Sequence, residues 1–142
     1  MTRDEILALL GRRDAAWKAR DPGALAATHT PDGVAVSPTG GVLEGRAEIE
    51  RVYKLWLTAF PDVVFQPQDL VIEGDRVVQL ARIVGTHAGE FFGLRPAGRH
   101  VDVEVVLLMT VRDGLVAEER RVYDFTGLLV QVGVLKAKPM TG

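Results

Sequence analysis

The sequence predicts an α+β fold, with helices first and an antiparallel run of strands after them. Three observations carry this expectation. Apolar residues recur at helical spacing through much of the first sixty residues, bounded by capping and turn chemistry. From residue 63 the period switches to two, the signature of half-buried strands. Between those strands, Glu73-Gly74-Asp75-Arg76 and Arg112-Asp113-Gly114-Leu115 read as hairpin turns.

Taken in order, Thr2-Arg3-Asp4-Glu5 has capping-box spacing, with Thr2 as N-cap and Glu5 three residues on. The helix it opens carries Ile6, Leu10, Arg13 and Trp17 on one stripe. Asp21-Pro22 reads as an N-cap followed by proline at the first helical position, which predicts a short second helix to about His29. Thr30-Pro31-Asp32-Gly33 is turn chemistry, and Val34-Ala35-Val36-Ser37 is a brief strand that Pro38 closes. A third helix is expected over about 46–60, with Ile49, Tyr53, Trp56 and Phe60 at helical spacing. Strands follow at roughly 63–73, 76–87, 100–111 and 115–123, with a Gly- and Pro-containing loop from Ala88 to Gly98. A short apolar helix begins at Phe125.

Composition narrows the function. Of 142 residues, 47% are apolar and 25% charged, a globular balance large enough for one core. Seventeen basic against nineteen acidic residues build no field for nucleic acid, and the run Glu118-Glu119-Arg120-Arg121 neutralises itself. The absence of cysteine excludes disulfides, thiol nucleophiles and thiolate metal sites. His29, His87 and His100 have no ligand spacing, so no metal site is expected. His87 is expected at the surface, near a loop entrance. The N-terminus opens a charged amphipathic segment rather than a signal peptide, and no stretch approaches the ~18 apolar residues of a membrane span. A soluble cytoplasmic protein without membrane or nucleic-acid partners is the expectation.

Strand parity suggests what lines an interior. Along 101–111 the odd residues, including Leu107 and Met109, form a uniformly apolar face that should meet the helices. The other face, with Asp102 and Glu104, suits solvent and a subunit contact, so a homodimer is expected. In 77–87 the even face is the more apolar, which makes Arg82 a candidate inward cation. In 115–124, Glu118, Arg120, Val122 and Asp124 share a face whose direction parity alone does not assign.

The order helix, helix, short strand, helix, four strands resembles the nuclear transport factor 2-like superfamily, in which a bent sheet wraps helices into a cone with a pocket. More narrowly, three segments resemble the SnoaL-like polyketide cyclases: Ala59-Phe60-Pro61-Asp62, the loop from Gly85 to Arg99, and Asp124-Phe125-Thr126-Gly127-Leu128-Leu129-Val130-Gln131-Val132-Gly133. The resemblance spans almost the whole chain, so residues 1–142 are read as a single SnoaL-like domain. It implies an intramolecular aldol ring closure in which one aspartate, at motif position Asp124, takes and returns the proton without metal or cofactor. An aromatic residue common four positions before that aspartate is replaced by Arg120. Two other enzymes of the fold fit less well. Ketosteroid isomerase needs a tyrosine and two aspartates where rough alignment places Arg13, Ser37 and Leu107. Limonene epoxide hydrolase needs an arginine, matched by Arg82, between two aspartates that have no clear counterpart.

The expected site therefore comprises Asp124 as acid/base and Arg82 or Arg120 to orient or polarise the substrate. Trp17, Tyr53, Trp56, Phe60, Leu107 and Met109 would shape a cavity for a small apolar carbonyl compound. Phe91 and Phe92 fit either an apolar lip over the pocket mouth or ordinary loop packing. Asp124 also has a purely structural alternative, as N-cap of the helix at Phe125. The alternative functions are a non-catalytic ligand-binding or interaction domain and, more weakly, an epoxide hydrolase or isomerase.

Overall fold

A computed structural model describes residues 1–136. The first helix, α1 (Arg3–Lys18), opens on the expected capping box: Glu5 N–H donates to the Thr2 hydroxyl and Thr2 N–H to the Glu5 carboxylate. Its stripe of Ile6, Leu9, Leu10, Arg13 and Trp17 is buried. Asp21 caps α2 (Pro22–Ala27) through the Ala24 N–H. The helix stops two residues before the expected end, because the Thr28 hydroxyl donates to the Leu25 carbonyl and Thr28 takes the C-cap position. His29 thus opens a strand, β1 (His29–Ser37), instead of closing a helix. The expected turn at 30–33 is absorbed into β1 as an irregularity in its pairing between His29 and Val34. A short strand missed by the sequence reading, β2 (Gly41–Glu44), folds back on it.

Next comes α3 (Arg46–Ala59), with Ile49, Val52, Tyr53 and Trp56 buried. The four later strands lie within a residue or so of their expected bounds: β3 (Val64–Glu73), β4 (Arg76–Thr86), β5 (His100–Arg112) and β6 (Leu115–Tyr123). The chain then turns into α4 (Phe125–Gln131). All six strands form one curved sheet in the order β2-β1-β6-β5-β4-β3. Every neighbouring pair is antiparallel except β1 and β6, which run parallel and set the first strand beside the last.

Register decides which face is inside. The odd residues of β5 are buried as expected, and β4 follows them: Ala81 lies opposite Val105 and Ile83 opposite Val103. This corrects the parity reading of β4, whose odd face points inward despite its Gln79. Arg82 is on the outer face, where its Nη2 lies 2.6 Å from Asp102 and its Nη1 3.9 Å from Glu104. Two loop expectations also change. His87 is buried against Phe60 and Phe91, with its N–H donating to the Arg99 carbonyl. Phe91 is fully buried against Trp56 and Phe60, while Phe92 remains partly exposed at φ 47°. Among the described residues, no helix is long and apolar enough to cross a membrane.

Candidate functional site

The interior of the cone holds more charge than its apolar wall would suggest. From α1, Arg13 reaches across the parallel β1–β6 seam, and its Nη2 donates to Glu119 Oε2 at 2.6 Å. Its Nη1 donates to the Thr28 hydroxyl at 2.9 Å and to His29 Nε2 at 3.2 Å. From β6, Arg121 Nε donates to Glu119 Oε1 at 2.5 Å. The Arg121 guanidinium lies 4.6 Å from the centre of the Tyr53 ring, close enough for a cation–π contact. Glu119 is thus gripped on both oxygens by two arginines from different elements, and its side chain is fully buried.

Burial disfavours the Glu119 carboxylate, but the Arg121 and Arg13 guanidiniums more than offset it and bring its pKa down to about 2. His29 moves the other way from a cation: burial, reinforced by Arg13 and Arg121 against the pull of Glu119, lowers its pKa to about 3. Its tautomer follows from its neighbours. Arg13 can only donate, so His29 Nε2 is an acceptor, and the Tyr53 hydroxyl 2.9 Å away donates to the same nitrogen. The proton of the neutral ring sits on Nδ1, which is buried without a partner among the described residues. Arg46 ties the same residue from outside, donating through Nε and Nη2 to the His29 carbonyl.

A cavity of about 40 Å³ lies against this cluster. Arg13, Glu119 and Arg121 line its charged side; Trp17, Tyr53 and Trp56 supply aromatic wall. Phe65 stacks on Trp17 at 5.4 Å between ring centres, and Tyr123 meets Trp56 edge-on while its hydroxyl pairs with Thr39 at 2.5 Å. The volume admits a few waters but is far below the ~300 Å³ at which pockets begin to enclose drug-sized ligands.

Of the residues expected in the site, Trp17, Tyr53, Trp56 and Leu107 line this cavity. Phe60 and Met109 are buried in the surrounding core and do not line it. Asp124, Arg82 and Arg120 are not brought to it. Asp124 is exposed, and its Oδ1 accepts the Gly127 N–H at 2.8 Å as N-cap of α4. Arg120 is exposed on the outer face of β6, opposite Leu108. The charged residues that do meet at the cavity are Arg13, Glu119 and Arg121, with His29 behind them. One signal for them was present in the sequence: an arginine in the middle of the apolar stripe of α1 needs a buried partner.

A helix-filled cone of curved sheet is the fold class shared by nuclear transport factor 2-like and ketosteroid isomerase-like proteins. Within that class, the chain belongs to the SnoaL-like polyketide cyclase family, whose model matches residues 8–132. Among solved structures it is similar to a candidate SnoaL-like polyketide cyclase from Jannaschia sp. CCS1, at 27% identity and TM-score 0.84 over 93% of this chain and 94% of that one. It is 30% identical to AclR, a candidate hydroxylase from Streptomyces galilaeus, with TM-score 0.84 over 97% and 87% of the two chains. IdmH, a candidate polyketide cyclase from Streptomyces antibioticus, is 28% identical with TM-score 0.75 over 89% and 96%. No curated protein matches the sequence significantly.

Proposed function

We propose that this protein is a small-molecule enzyme of the cyclase type, acting on an apolar carbonyl compound held in the cone. The observation that carries this reading is a cationic group at an aromatic-walled cavity: Arg121 lines it with its side chain nine-tenths buried. In an intramolecular aldol closure the carbonyl oxygen gains negative charge as the carbon–carbon bond forms. A guanidinium held in low dielectric stabilises that charge without reorganising. The walls contribute by holding a flexible chain so that its nucleophilic carbon meets the carbonyl.

The resemblance puts the proton step on Asp124, which is exposed at the N-cap of α4 and outside the cavity lining. The cavity is therefore proposed to supply the oxyanion stabilisation, and Asp124→Asn tests the proton step separately. At about 40 Å³ the cavity takes a ring-sized substrate only if its lining moves, and opening on substrate entry is part of the proposal. The test is incubation with poly-β-carbonyl aromatic esters, followed by chromatography and mass spectrometry. Ring closure changes retention at constant mass, or with loss of water if dehydration follows. Arg121→Met should lower kcat by about a hundredfold. Unchanged turnover in a folded Arg121→Met protein refutes this role.

A non-catalytic ligand-binding domain is the second reading. It is favoured by one observation: Glu119, the carboxylate lining the cavity, is locked by two arginines and held far below the range of a general base. The epoxide hydrolase reading needs a second carboxylate, and Glu104 is exposed on the outer face. The proposal includes a homodimer through that face, where Val71 and Val122 are 58% and 50% exposed; sedimentation at monomer mass would refute it.

A further inference from the structure

We infer that the cavity selects an anion: a flat apolar molecule carrying one ionised oxygen group, an enolate or carboxylate, that docks on the Arg121 guanidinium. This deepens the proposed function and rests on its reading of the cavity as a small-molecule site. Charge count is the first support. Two guanidiniums and one carboxylate line the cavity, which leaves one buried positive charge over. His29 does not change that balance, since its Nε2 accepts from Arg13 and the ring is neutral. An uncompensated charge away from water is costly, and an anionic ligand removes the cost.

Geometry is the second support. Arg121 spends Nε on Glu119 and one face on the Tyr53 ring, which together hold its plane. Its Nη2 is buried and has no hydrogen-bond partner among the described residues. Arg13, by contrast, distributes its two terminal nitrogens over Glu119, Thr28, His29 and Tyr53 and has little left for a ligand. The unspent donor is thus on the arginine that came with β6. The rest of the lining is mostly aromatic and aliphatic, which favours an apolar body over a hydrated ion once the lining opens to admit it.

The test compares two matched probes by calorimetric titration of the full-length protein at neutral pH. They are 2-hydroxy-1,4-naphthoquinone, an enol ionised under these conditions, and its uncharged 2-methoxy ether. The anion should bind at least tenfold more tightly, and its advantage should shrink as the pH falls through the probe's own pKa. Arg121→Met should remove the preference, and Arg121→Lys should retain part of it. The wild-type comparison decides the matter even where a variant fails to fold. Equal affinity for the two probes overturns the anion inference while leaving the cavity as a ligand site. A preference unchanged in folded Arg121→Met also overturns it, and binding of neither probe overturns the site and the inference together. Binding with the expected preference but no turnover in the aldol assay supports the inference and refutes the enzyme.

Discussion

Arg13 and Glu119, 106 residues apart in the chain, meet at 2.6 Å inside the cone. The contact couples the first helix to the last strand, beside the seam where β1 and β6 pair in parallel. A buried carboxylate between two guanidiniums is a poor general base but a firm anchor, for Arg121 above all. The consequences differ according to which member is removed.

Glu119→Gln leaves Arg13 and Arg121 facing each other without a counter-charge. It should cost about 3–5 kcal/mol in denaturant unfolding, the penalty for stranding buried charge. A loss under about 1 kcal/mol would mean that water screens the cluster.

Acid should act on the same cluster in two stages. His29 has a pKa lowered from 6.5 to about 3, so the unfolded chain takes up its proton first. Stability is therefore full above about 6.5 and declines as pH falls toward 3, by at most about 1.4 kcal/mol per pH unit. Glu119, lowered from 4.5 to about 2, adds a second loss that begins below about 4.5 and is complete only near 2. His29→Gln should flatten unfolding free energy between pH 6.5 and 4.5 and leave the lower stage in place. An unaltered upper stage in that variant would assign it to another group.

Asp124 separates two roles by two substitutions. As N-cap of α4 it should tolerate Asn, while Asp124→Ala should cost about 1 kcal/mol through the orphaned Gly127 N–H. Asparagine keeps the cap but cannot exchange a proton. Turnover that survives Asp124→Asn therefore leaves the residue structural, whereas loss of turnover at unchanged stability makes it the acid/base.

Gly89 tests the packing of the loop between β4 and β5. A Cβ there would run into the Thr58 carbonyl at the end of α3, and the Gly89 N–H already donates to Ala59. Gly89→Ala should destabilise by about 1–3 kcal/mol, as overpacking does. A melting temperature equal to wild type would show that the loop yields.

The misplacement of the charged site has a specific physical origin in β6. Val116 is fully buried, which by simple alternation would turn Glu118, Arg120 and Val122 inward. The pairing slips between Thr110 and Val111, so Thr110 faces Glu118 while Val111 faces Val116. This bulge at Ala117 reverses the parity and sends Glu119 and Arg121 inside. A slip of one residue exchanges the whole set of side chains. In β4 the cause was different. Its even and odd faces are both largely apolar, and only pairing with the uniformly apolar face of β5 chose between them.

By itself the sequence determined the α+β class, the start of α1, the approximate bounds of α3 and the last four strands, and the caps at Thr2, Asp21 and Asp124. These depend on local periodicity, capping chemistry and side-chain size, all of which neighbours in the chain supply. Only tertiary structure decided that Arg13, His29, Glu119 and Arg121 share one interior, and that Arg82 and Asp124 do not. That outcome rests on a parallel seam between the first and last strands, a single bulge and the register of β4 on β5. Each is set by contacts between distant segments, where shifting one strand by one residue costs little locally and changes which charges are buried.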